Sequence, residues 1–216
     1  MCGAIVLPMP LPSAETQLDF LFRIERLLSE GSFTATYKFA LLLALADCAV
    51  ERGDDITDEL VLDANDLAEK FIAVYWRQVL PWIGPDGRTG RLQQITGSSA
   101  AILTRLEDAH AGSNGSLPRL RSTPRWRPLV RDVARVIEKM PLWKLQTIGR
   151  RHEDFLYPHV GKGRVIRLRG EAVYCFRQFH SLIGELVQSA WIRFIQRLPR
   201  NRPLLGHSHE LREFLF

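Results

Sequence analysis

GKGRVIRLRGEAVYCFRQFHSLIGELVQSAWIRFIQRLPRNR, residues 161–202, carries the longest periodic pattern in the chain and decides how the rest is read. It opens with Val165 and Leu168 set among Arg164, Arg167 and Arg169, the alternation of a strand whose exposed side is arginine. Gly170 breaks that period. From Glu171 to Leu198 apolar residues recur at helical spacing (Val173, Phe176, Ile183, Val187, Trp191 and Ile195 among them) with no proline between them. Such a helix would span roughly 42 Å at 1.5 Å per residue, so other helices must pack along it. Its polar side carries Arg177, Arg193 and Arg197, and with the strand arginines these form the candidate phosphate-contacting set.

Composition sets the bounds. The 216 residues are 46% apolar, enough for a sizeable core. The longest apolar run, Phe39 to Val50, is interrupted by Asp47 and is too short to span a bilayer, so no membrane role is expected and cytoplasm is the default compartment. Residues 1–14, rich in proline, read as an extended arm without the basic start of a secretory signal. Cys2, Cys48 and Cys175 are far apart in sequence; the latter two fall on apolar helical faces and are expected as buried free thiols. The net charge of +5 hides an asymmetry. Residues 1–70 hold 5 Lys+Arg against 13 Asp+Glu, and residues 71–216 hold 24 against 11. A polyanion would therefore meet the C-terminal two thirds, while the acidic N-terminal part would face a partner protein or a second copy of the chain.

Outward from the long helix, Ser13 is the expected cap of a first amphipathic helix that ends near Gly31. The run TYKFALLLALADCAVERG, 36–53, nearly uncharged between Lys38 and Asp47, predicts a helix buried almost all round. Asp63 caps a third helix, 64–80, stopped by Pro81; before it there is room only for a short strand. Its acidic opening turn, Asp63, Asp66 and Glu69, argues against a major-groove recognition helix. The glycine-rich loop 84–97 lacks the GK[ST] of a phosphate cradle. A fourth helix is expected at 98–109 and a fifth at 129–140. Between them, residues 110–128 read as an irregular loop in which Arg119, Arg121, Arg125 and Arg127 surround Trp126, a pattern that suits backbone or single-strand contacts. Segment 154–160 reads as an edge strand, paired with 165–169 across the HVGKG turn.

The expected fold is thus mainly α: a multi-helix bundle around a central buried helix and one long C-terminal helix, with a small two-stranded hairpin. A helical domain, 15–202, follows the arm, and 203–216 forms a C-terminal tail. No residues pair a nucleophile with a base at interpretable spacing, and His207 and His209 in HSHE offer a metal two imidazoles and Glu210 without a further ligand. No catalytic or metal-ligating residue is assigned.

In order along the chain, TYKFALLLALAD (36–47), LAEKFIAVYWRQVLP (67–81), RLQQITGSSAAIL (91–103), FLYPH (155–159), CFRQF (175–179) and ELREFLF (210–216) resemble the N-terminal helical region of bacterial HNH endonuclease domain-containing proteins. The resemblance implies a ββα-metal HNH domain after the closing FLF. There a histidine would serve as general base and a divalent metal would stabilise charge on the scissile phosphate. None of that domain's motif residues occurs here. The expectation is a nucleic-acid-engaging helical module, with metal-dependent DNA hydrolysis residing in an absent segment. The alternative is a non-catalytic protein-interaction or dimerisation module.

Overall fold

The computed structural model describes residues 11–31, 33–53, 59–97, 100–149, 151–158, 164–205 and 210–216. Most of the expected arm, Cys2, Ser98, the HVGKG turn and the His207–His209 pair lie outside the described residues.

The chain is mainly helical. Helix α1 (Ala14–Glu30) starts where Ser13 predicts, its Oγ accepting the Thr16 amide at 3.1 Å. Helix α2 (Tyr37–Arg52) buries ten of its sixteen residues, Leu41, Leu42, Leu45 and Ala49 with no exposed surface. Only a helix enclosed by others can do this, and α2 is flanked by α3 (Ala64–Tyr75), α7 (Pro141–Lys144), α8 (Gly170–Gln178) and α9 (His180–Arg197). Helix α3 opens on a capping box, Asp63 accepting from Asn65 while Asp66 accepts the Asp63 amide. It ends at Tyr75 rather than Leu80. The residue before Pro81 cannot easily stay helical, and the chain tightens into a 3-10 turn over Arg77–Val79.

The expected long helix is two. It breaks at Phe179, whose φ of −111° and ψ of 22° leave the helical region, and α8 gives way to α9. Each piece is tied to α2 separately, α8 through Arg177 and α9 through a 2.9 Å contact between His180 Nε2 and Asp47 Oδ1.

The strand at 165–168 forms, but with a different partner from the one expected. As β6 (Val165–Leu168) it pairs antiparallel with β1 (Leu60–Asp63), Leu60 opposite Leu168 and Asp63 opposite Val165. Segment 154–158 makes no strand. Pro158 lacks a donor, and Leu156 and Tyr157 are fully buried, held by Gln146. One bond of the expected pairing survives, Arg169 N donating to Leu156 O at 2.8 Å. The small two-stranded hairpins lie elsewhere, as β2 (Trp82–Ile83) with β3 (Thr89–Gly90) and as β4 (Thr147–Ile148) with β5 (Arg151–His152).

Residues 110–128 are not the irregular loop their composition predicts. Helix α4 (Ala101–Gly112) ends in a turn with Asn114 and Gly115 at positive φ. Ser116 then caps a short α5 (Leu117–Arg121) with Pro118 in its first turn, and α6 (Trp126–Lys139) follows. Serine and proline act here as helix starters, not breakers. After α9 come α10 (Arg202–Leu205) and α11 (Leu211–Leu215). The tail packs inward: Phe214 meets Trp82 edge-on, Phe216 meets Trp191, and Gln78 Nε2 donates to Leu215 O at 3.1 Å. Trp191, fully buried, also stacks on Phe39, meets Tyr75 at a tilt and donates to Gln94 Oε1 at 3.1 Å.

Two buried amides stand in for sheet pairing. Gln146 accepts Leu156 N at 2.7 Å and donates to Tyr157 O at 2.8 Å. Asn201 accepts Gln93 N at 2.6 Å and donates to Gln93 O and Ile195 O, both at 2.9 Å. Gln146→Leu keeps the volume and strands the buried amides of Leu156 and Tyr157 and the Tyr157 carbonyl, so urea unfolding is expected to show a loss of about 3 kcal/mol.

Candidate nucleic-acid interface

The six arginines singled out by sequence do not share one surface. Arg164 lies 3.5 Å from Glu138 at the end of α6, and Arg169 donates its Nε to Asp154 O at 2.8 Å. Arg177 is half-buried, and its Nη1 donates to Ala49 O (3.3 Å), Val50 O (3.2 Å) and Gly53 O (2.5 Å). These carbonyls end α2, where a cation suits both the unpaired acceptors and the negative end of the helix dipole. Arg167 is exposed on β6 opposite Val61; Arg193 and Arg197 are exposed one turn apart near the end of α9. Those three have no carboxylate partner among the described residues. Roughly 20 Å of α9, at 1.5 Å per residue, separates Arg193 from the start of that helix, so the set divides between the two ends of the rod.

A denser group of cations sits on α5 and α6. Arg119, Arg121, Arg125, Arg127 and Arg131 are all exposed, and none meets a carboxylate among the described residues. The local sequence explains the arrangement. Leu129, Val130, Val133, Ala134 and Ile137 make the buried face of α6, which packs on α3 and α4. That leaves Arg127, Arg131 and Arg135, spaced four apart, as a stripe on the opposite side. Arg135 is held by Asp132 at 2.6 Å. Arg121 lies over the half-buried ring of Trp126, 5.4 Å from its centre, which fixes a guanidinium beside the first turn of α6. That turn has no side-chain cap; Trp126 N donates to Thr123 O at 3.2 Å and Pro128 has no N–H, so the Arg127 amide alone is left to add to the positive field. Four of these arginines stand out in the sequence around Trp126; Arg131 does not, because its place in the stripe follows only once α6 is known to begin at Trp126.

Acidic groups elsewhere are largely occupied. Asp66 binds Arg52 at 2.6 Å, Asp19 binds Arg23 at 2.7 Å, and Glu51 and Glu107 pair with Lys70 and Arg91. The thiols of Cys48 and Cys175 are buried and free, and burial pushes them up to about 11 and about 12, so neither is a nucleophile at neutral pH. No cluster of metal-ligating side chains occurs among the described residues, and no helix there is long and apolar enough to cross a membrane.

A family model described as Domain of unknown function (DUF8808) matches residues 16–214, while no curated protein and no solved structure matches the chain. The division between arginines that hold the fold and arginines that are free is directly measurable. Arg177→Ala is expected to lower the unfolding free energy by about 1–2 kcal/mol through the lost carbonyl cap. Arg127→Ala and Arg193→Ala are expected to stay within about 0.5 kcal/mol of the parent.

Proposed function

We propose that this chain, which belongs to the DUF8808 family, engages the phosphate backbone of DNA through the arginine face of α5 and α6. The observation that carries this reading is the group of five exposed arginines between 119 and 131 with no carboxylate partner among the described residues. Guanidinium groups bind phosphate bidentately and release condensed counterions, a contribution independent of base sequence. Trp126 is half-buried and covered by Arg121. It positions a cation and offers no open stacking surface, which favours backbone contacts over base readout. Arg167, Arg193 and Arg197 are free to extend the contact. In the reading implied by the HNH resemblance, this module holds DNA while a separate HNH domain, with its divalent metal, carries out hydrolysis. No residue described here is assigned a catalytic role.

A second reading, a surface for another copy of the chain, is supported by Leu18 and Phe22. They lie one turn apart on α1 and are 56% and 66% exposed. Light scattering would then show a dimer that Phe22→Asp dissolves.

Fluorescence anisotropy with a duplex across a salt series tests the first reading. The logarithm of the binding constant is expected to fall linearly with the logarithm of salt concentration. The triple change Arg121→Ala, Arg127→Ala, Arg131→Ala is expected to flatten the slope by roughly 0.9 per phosphate contact removed. Changing Arg164 and Arg169 is expected to leave it nearly unaltered. Absence of binding at low salt, or a slope untouched by the triple change, overturns the reading.

A further inference from the structure

The N-terminal end of α2 faces a cavity of about 510 Å³ between that helix, the 95–97 segment and α7. Its walls include Tyr37, Ile95, Met140 and Trp143, and its size is that of a small-molecule site. Lys38, in the first turn of α2, lines it. The side chain is only 8% exposed and makes no hydrogen bond or ion pair with any described residue. Its contacts include the Phe33 ring, whose centre is 5.4 Å from Nζ. An unpaired ammonium at such depth is costly, and the N-terminal end of a helix is the wrong end for a cation. Neither the first turn of α2 nor its cap supplies an acid or a side-chain cap, because the Thr36 hydroxyl is hydrogen-bonded to Tyr75 at 2.6 Å. A second cation, Lys144 from α7, also lines the cavity, with its Nζ 4.8 Å from the centre of the Trp143 ring. No carboxylate is among the lining residues.

Two lysines and the positive end of a helix thus converge on a largely apolar space, and no carboxylate among its lining residues answers their charge. We propose that the cavity binds a small amphiphilic anion, its aromatic or apolar body against Tyr37, Met140 and Trp143 and its single anionic head on the ammonium of Lys38. The ligand supplies the missing counter-charge, and the apolar walls select for a body that water solvates poorly. This site is separate from the arginine face and does not depend on it.

Burial and the nearby Lys144 lower Lys38 to about 8, and Lys144 is the charged group that acts on it. The folded value lies below the unfolded value of 10.5. The folded state therefore gives up its proton first, and stability attributable to Lys38 rises as pH climbs from about 8 to 10.5. Comparison with Lys38→Met cancels the opposing contributions of buried thiols and tyrosines. The ratio of the two unfolding constants is expected to change by up to about two orders of magnitude across that interval. An unchanged ratio removes the unpaired ammonium and the proposal with it.

Titration calorimetry at pH 7 supplies the direct test, with 2-naphthoate, 2-naphthyl phosphate and neutral 2-naphthalenemethanol as probes. One or both anions are expected to bind at least tenfold more tightly than the alcohol, and the tighter of the two identifies the head group. Lys38→Met is expected to remove most of that preference, the remainder belonging to Lys144 and the helix end, while leaving alcohol binding unchanged, which shows that the cavity is intact. The preference is also expected to fade as pH rises through about 8, since the neutral amine no longer answers the anion. Equal binding of anion and alcohol, or a preference that Lys38→Met leaves undiminished, overturns the proposal.

Discussion

Helix α2 has almost no face left for water, and this enclosure governs the architecture. Leucine and alanine at 40–46 leave no polar stripe, so neighbours must be supplied on every side, from α3, α7, α8 and α9. Its two ends are treated differently. The C-terminal carbonyls are satisfied by Arg177, reaching across from α8. At the N-terminal end Thr36 is bonded to Tyr75, and Lys38 is left buried without an anion. A helix so thoroughly packed accepts an uncompensated group only where the packing itself opens, and the cavity lies at that end.

Electrostatics divide along the same lines. The sequence shows an arginine-rich C-terminal two thirds, but it does not show which guanidinium groups the fold consumes. Arg177 ends a helix, Arg169 ties down the 154–156 segment, and Arg164 meets Glu138. What stays free on α5 and α6 is set by amphipathicity: the apolar residues of α6 are committed to α3 and α4, so the arginines spaced four apart have only solvent to face.

Much of the fold is legible from local chemistry. Ser13 and Asp63 cap the helices they precede, the uncharged run after Lys38 is central, and alternation at 165–168 makes a strand. Legibility fails where the deciding contact is distant. The partner of 165–168 is Leu60–Asp63, a hundred residues away, and no periodicity in either segment names the other. Gln146 and Asn201 look like ordinary polar residues until their amides are seen replacing strand partners. Helix α5 is missed for a local reason: Ser116 and Pro118 occur in turns as readily as in the first turn of a helix. Nothing in the sequence marks Lys38 as buried, because its burial depends on Phe33 and α7 and not on its neighbours in sequence.

The pairing of β1 with β6 has a consequence for how the chain is made. Helix α2 buries ten of its sixteen residues, yet the elements that cover it from two sides, α8 and α9, begin only at residue 170. During synthesis at about 5–20 residues per second, that helix waits several seconds or more for its cover. Sequence-distant closure of this kind slows folding relative to a bundle of adjacent hairpins. The nascent N-terminal half is therefore the stage at which a holdase chaperone has most to bind and at which self-association competes hardest with the native topology.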